Sequence, residues 1–115
     1  MVINEVELSF NIAEESSNKR VMEALKSVSE DAGNTKGKNS YEQIHDTCLS
    51  VKNAFDYIFG SGTGERICGK ENDLNVCANA FAELIEEKNR QDEILKQTTL
   101  RLMTAIGGGN DELSD

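Results

Sequence analysis

Between Asn72 and Met103 the chain contains nothing that breaks a helix, and proline is absent from all 115 residues. At 1.5 Å per residue, a helix of about 30 residues spans roughly 45 Å, longer than a domain of this size is wide. Its start, Leu74, Cys77, Phe81, Leu84 and Ile85, is apolar, as is its end at Ile94, Leu95, Leu102, Met103 and Ile106. Between them, Glu86 to Glu93 is polar on every side, as expected where a helix leaves its own core and crosses solvent. The distal strip Leu95, Leu102, Met103 and Ile106 then lacks an obvious partner within the chain. Exposed apolar surface of that kind marks a contact site.

The other elements must supply a core for the first half of that helix. The stripe Tyr41, Ile44, Cys48, Val51, Phe55, Ile58 repeats at three and four residues and predicts a second helix, opened by a capping box of Ser40 with Gln43. It should stop at Gly60, where Gly60-Ser-Gly-Thr-Gly64 lowers helix propensity over successive positions. A short turn carrying Ile67 and Cys68 should tuck back onto the core. An earlier helix, narrower in its apolar face, is predicted from Asn11 with Glu14 as its capping box, through Val21, Leu25, Val28 and Ala32, to a left-handed glycine end near Gly33. Residues 34–39 lack apolar side chains and read as a surface loop.

Val6, Leu8, Phe10 and Ile12 alternate with polar residues at the period of a half-buried strand. A single strand leaves its backbone groups unpaired. It must pair either in a hairpin with Val2 and Ile3 around Asn4-Glu5, or with a strand of another copy through Val6, Leu8 and Phe10. The expected architecture is mainly α: three principal helices, a short N-terminal strand or hairpin, and a long C-terminal helix. Residues 1–106 form one helical domain and 107–115 an acidic tail. Helix one and helix two should pack with Leu74 to Ile85 around Phe55, Phe59 and Phe81.

Twenty-one acidic against 12 basic residues give a formal charge of −9, which repels a phosphate backbone or an anionic membrane surface. No run reaches the ~20 apolar residues of a spanning helix, and the N-terminus lacks the basic start and apolar stretch of an export signal. A protein free of nucleic acid and membrane, in the cytoplasm where it is made, is the expectation. Only 37% of residues are hydrophobic, so self-association would help a core this small.

Three groups of residues invite a chemical reading. Gly64-Glu-Arg-Ile-Cys-Gly69-Lys70 follows the phosphate-loop spacing, but Glu71 replaces the magnesium-binding Ser or Thr, and a helix precedes it where a strand is needed. His45, Cys48, Cys68 and Cys77 include four zinc-compatible ligands at a spacing of no usual zinc module. Cys48 and Cys77 also lie on apolar stripes, where free cysteine acts as a small hydrophobe. A His45–Cys48 dyad lacks an orienting group and an oxyanion donor. The acidic run Glu83, Glu86, Glu87, Asp92, Glu93 is interleaved with Lys88 and Arg90, which argues for helical ion pairs over cation binding. No cofactor, metal or catalytic residue is expected, and zinc or thiol chemistry stands as the third option.

The segments Val2-Ile-Asn-Glu-Val-Glu-Leu-Ser-Phe10, Phe55-Asp-Tyr-Ile-Phe-Gly-Ser-Gly-Thr63 and Asn72-Asp-Leu-Asn-Val-Cys-Ala-Asn-Ala-Phe81 resemble a family of small phage and prophage proteins often found among tail genes. The resemblance spans residues 2 to about 100. Glu5 departs from it, standing where glycine often follows Asn, which argues against a tight Asn-Gly turn. The acidic close Asn110-Asp-Glu-Leu-Ser-Asp115 replaces the basic tail of many relatives. Small proteins of that setting resemble tail assembly chaperones of long-tailed phages. The resemblance therefore implies a non-enzymatic homo-oligomer in the host bacterial cytoplasm that binds the tape-measure protein and perhaps tube subunits. The alternative is a minor virion protein, such as a connector or tube-associated component.

Overall fold

In the computed structural model the elements run β1 (Val2–Ile3), β2 (Val6–Glu7), α1 (Glu15–Gly33), α2 (Ser40–Phe59), α3 (Thr63–Cys68) and α4 (Leu74–Ser114). Residues 1–107 are described in full; from residue 108 the side chains are not, and the acidic tail expected over 107–115 lies, past Gly107, outside the described residues. The fold is mainly helical with a two-stranded antiparallel hairpin, as the sequence leads one to expect.

The N-terminal strand is much shorter than its alternation suggests. Val2 faces Glu7 and Ile3 faces Val6, so the strand closes on its own chain. Asn4 and Glu5 form the turn with φ of 47° and 69°, the backbone that two-residue hairpins require. Glutamate thus holds a left-handed position in a tight turn that its side chain disfavours. Asn4 helps by donating from Nδ2 to the Ile67 carbonyl at 2.9 Å. Leu8 still pairs with Met1, donating its amide to the Met1 carbonyl at 2.9 Å and accepting from the Met1 amine at 3.0 Å; beyond it the backbone leaves the ladder, yet Ile12 is buried and Phe10 meets Phe59 edge-on at 6.0 Å. Past Leu8, period-two burial therefore survives without strand pairing, because the segment lies over helices.

Neither expected capping box forms: that of α1 is absent and that of α2 is shifted. Asn11 Oδ1 accepts from the Ala13 amide at 3.0 Å, closing a local turn, and α1 starts after Glu14 with no side-chain cap. At α2 the box is Asn39 with Glu42, one residue before the expected pair. Asparagine and serine are comparable N-caps, so the point at which the chain enters the helix decides between them. The end of α1 also differs: Asn34 caps it at φ −88°, and Gly33 is not left-handed. Tyr41 and Ala32, expected on buried stripes, are exposed. The buried face of α1 is Val21, Ala24 and Val28, and that of α2 is Cys48, Val51, Ala54 and Phe55.

Helix α2 lies at the centre, with α1 on one flank and α3 and α4 packed against it. Phe55 is fully buried and stacks on Phe59 at 6.1 Å. The glycine-rich turn after Gly60, with φ 115°, folds α3 back so that Thr63, Ile67 and Cys68 are buried. Gly64 makes that return possible: a Cβ there would lie 2.2 Å from the Lys52 carbonyl oxygen. Its amide donates to Asp56 Oδ1 at 2.8 Å, fixing α3 on α2. Lys52 Nζ then reaches the carbonyl of Glu71 and Asn72 Oδ1 at 3.0 and 3.1 Å, holding the connection into α4. The 41 residues of α4 correspond to about 61 Å of helix, and the molecule measures 67 × 33 × 20 Å.

Candidate functional site: the projecting end of the last helix

Helix α4 buries Cys77, Ala80 and Leu84 against the body. Leu84, Leu95, Leu102 and Ile106 are separated by eleven, seven and four residues, spacings that keep them on one helical face. The core face of α4 is thus continued, after the polar interval at Lys88 and Gln91, by apolar residues that have no body beneath them.

The polar interval is not free in solvent as its composition suggests. Gln91 Oε1 accepts from the Ile12 amide at 2.8 Å, and its Nε2 donates to the Phe10 carbonyl at 2.9 Å. One side-chain amide thereby satisfies two backbone groups of a segment that has left its strand. Glu87 orients Gln91 from below, accepting from Nε2 at 2.7 Å, and is held by Arg90 Nε and Nη2 at 2.9 and 2.7 Å. The Arg90 guanidinium first, then Gln91, keep the Glu87 carboxyl well below the usual range, at about 2. Lys88 pairs with Asp92 at 2.6 Å. Of the acidic run, Glu87 and Asp92 thus form helical ion pairs, and Gln91 adds a structural clamp that periodicity could not reveal.

Past the clamp the helix leaves the body. Leu95 is half-buried beside Ile12, Gln91 and Ile94, so this member of the expected contact strip belongs to the join. Every residue from Lys96 to Ile106 is exposed, with Leu102 at 58%, Met103 at 61% and Ile106 at 51%. Leu100, at 50%, adds apolar surface on another side of the helix, which a search for one stripe passes over. Val6, Leu8 and Phe10, considered as an edge for another copy, are instead occupied at home: Val6 pairs with Ile3, and Leu8 and Phe10 pack on the core.

The other residues singled out in the sequence lie in the body. Gly64 to Lys70 is a six-residue helix and its cap, with the Gly64 amide taken by Asp56. Cys48, Cys68 and Cys77 converge from three helices in one buried cluster as free thiols. Burial, then the Cys77 thiol, pushes Cys48 up to about 12; burial and Cys77 do the same to Cys68. Thiols so disposed are poor nucleophiles. Among the described residues no three His, Cys, Asp or Glu side chains are placed to hold a metal ion. His45 faces Asp46 at 3.1 Å on the surface, away from buried Cys48. Among the described residues no helix is long and apolar enough to cross a membrane.

A family model, described as a family of unknown function, DUF6673, matches residues 4–105. The chain belongs to this family. The DUF6673 match runs from the hairpin turn through nearly all of the exposed part of α4, so the projecting end is part of the family's own length. No curated protein and no solved structure matches the chain.

Proposed function

We propose that this DUF6673 protein is a non-enzymatic tail assembly chaperone of a long-tailed phage or prophage. In this reading it works in the host bacterial cytoplasm and holds the tape-measure protein, and perhaps tube subunits, through the end of α4. The observation that carries the reading is the exposure of Leu102, Met103 and Ile106 on a helix that has outrun its own core. A tape measure is a long helical chain with apolar stripes, and an apolar helix face is the natural partner of such a stripe. The buried, high-pKa thiols are in keeping with a binding protein.

Co-expression with a tape-measure protein from the same phage or prophage tests the reading. The two should co-purify, and the tape measure should aggregate without this chain. Replacing Leu102 and Ile106 by Asp should abolish capture while leaving the far-ultraviolet circular dichroism unchanged. A tape measure that stays soluble and alone in both cases ends the proposal. Mass spectrometry of purified particles separates it from the connector or tube-associated alternative, since a chaperone is absent from finished phage.

A further inference from the structure

We infer that residues 11–13 are a releasable strap over the inner end of the contact strip, and that the bound tape measure takes the strap's place along Leu95 and Thr98. The inference rests on the proposed function and deepens it, giving the free chain a form that masks part of its own binding face.

Helical geometry extends the strip inward. Thr98 and Leu102 follow Leu95 by three and seven residues, so all three lie on the face that runs on to Ile106. Asn11, Ile12 and Ala13 stand across from Leu95 and Thr98, and a cleft of about 180 Å³ lies between the two sides. Ile12 is buried and Leu95 half-buried there, whereas the same face is bare from Thr98 onward. The free chain thus covers, with one isoleucine, a stretch that continues the exposed strip.

The strap is fastened by side chains. Among the described residues no backbone–backbone hydrogen bond ties residues 11–13 to another element; the one they form is local, from the Glu14 amide to the Asn11 carbonyl at 3.0 Å. Gln91 holds the Ile12 amide, Asn18 Nδ2 donates to the Ile12 carbonyl at 2.8 Å, and Ser17 Oγ accepts from the Asn11 amide at 3.2 Å. Ile12 is the one buried side chain of the three, and it lies outside the core cluster gathered on Phe55. Withdrawing it bares Leu95 while that core stays closed, and the freed backbone groups meet water. A segment tied in this way opens at a smaller free energy than the whole fold.

Hydrogen exchange of the full chain alone should show the Ile12 amide exchanging at least about tenfold faster than the Val51 and Phe55 amides of α2. Ala13→Cys and Ile94→Cys, which line the same cleft, can be joined by a cleavable bifunctional maleimide while the natural thiols stay buried. The linker should slow Ile12 exchange and weaken tape-measure capture at least about tenfold, and cleaving it in the same protein should reverse both. Gln91→Ala, with one fastening removed, should capture the tape measure at least about threefold more tightly than the unaltered chain. An Ile12 amide as slow as those of α2 overturns the strap. So does capture that ignores the linker while Leu102→Asp with Ile106→Asp still abolishes it, and in both cases the chaperone reading stands. A tape measure that no form of the chain captures ends that reading and the strap together.

Discussion

Gly64 is the residue where the fold has least tolerance. The atom that its side chain would meet is the Lys52 carbonyl oxygen, backbone of a central helix, which cannot swing aside. Gly64→Ala should therefore cost about 3 kcal/mol, the upper end of overpacking, as measured by urea denaturation. Glu5 works in the opposite sense. It occupies φ 69° without the freedom that glycine has, and left-handed backbone costs an ordinary residue about 1 kcal/mol or more. Glu5→Gly should raise stability by about 0.5–1 kcal/mol, with the Asn4 bond to Ile67 retained. The thiols give a pH dependence of definite sign. Burial holds the folded-state pKa of Cys48 and Cys68 at about 12, above a thiol's ordinary 9.0, so the folded state keeps protons that the unfolded state releases. Their contribution is fully present below pH 9 and is lost as pH rises toward 12. Chemical denaturation across that window should show falling stability, with a shallower slope in Cys68→Ala.

The elements were legible in the sequence to different degrees, for physical reasons that can be named. Apolar spacing along Cys48, Val51 and Phe55 and from Cys77 to Leu84 identified the core faces of α2 and α4, since burial follows directly from helical period. Helix starts were less legible. Ser40 with Gln43 and Asn39 with Glu42 both satisfy a capping rule, and only the position of the chain entering the helix decides between them. The strand misled because alternation reports burial on one side, whereas a strand also needs a neighbour. At residues 10 and 12 that neighbour is a glutamine side chain lying 81 and 79 residues away, which no local pattern encodes. Gln91→Ala would leave the Ile12 amide and the Phe10 carbonyl without partners, at a cost of about 1–3 kcal/mol. Hydrogen exchange should show the Ile12 amide losing protection while α2 keeps its own.

At the scale of the whole molecule, length and charge carry the functional reading. The sequence indicated correctly that the last helix outruns the body, because an unbroken helix and a small core cannot be reconciled otherwise. It placed the departure too early, at Glu86, since the polar run looks solvated until its ion pairs and Gln91 are seen to brace the N-terminal segment. Leu95 moves into the body for the same reason, and Leu102, Met103 and Ile106 remain outside it.

The bond from Gln91 to residues 10 and 12 also sets an order of events during synthesis. Gln91 is made 79 and 81 residues after the backbone groups it holds, so Ile12 and Phe10 lack that partner while α1, α2 and α3 gather around Phe55. The exposed strip Leu102, Met103 and Ile106 is made later still, after every buried residue of the core that it leaves behind.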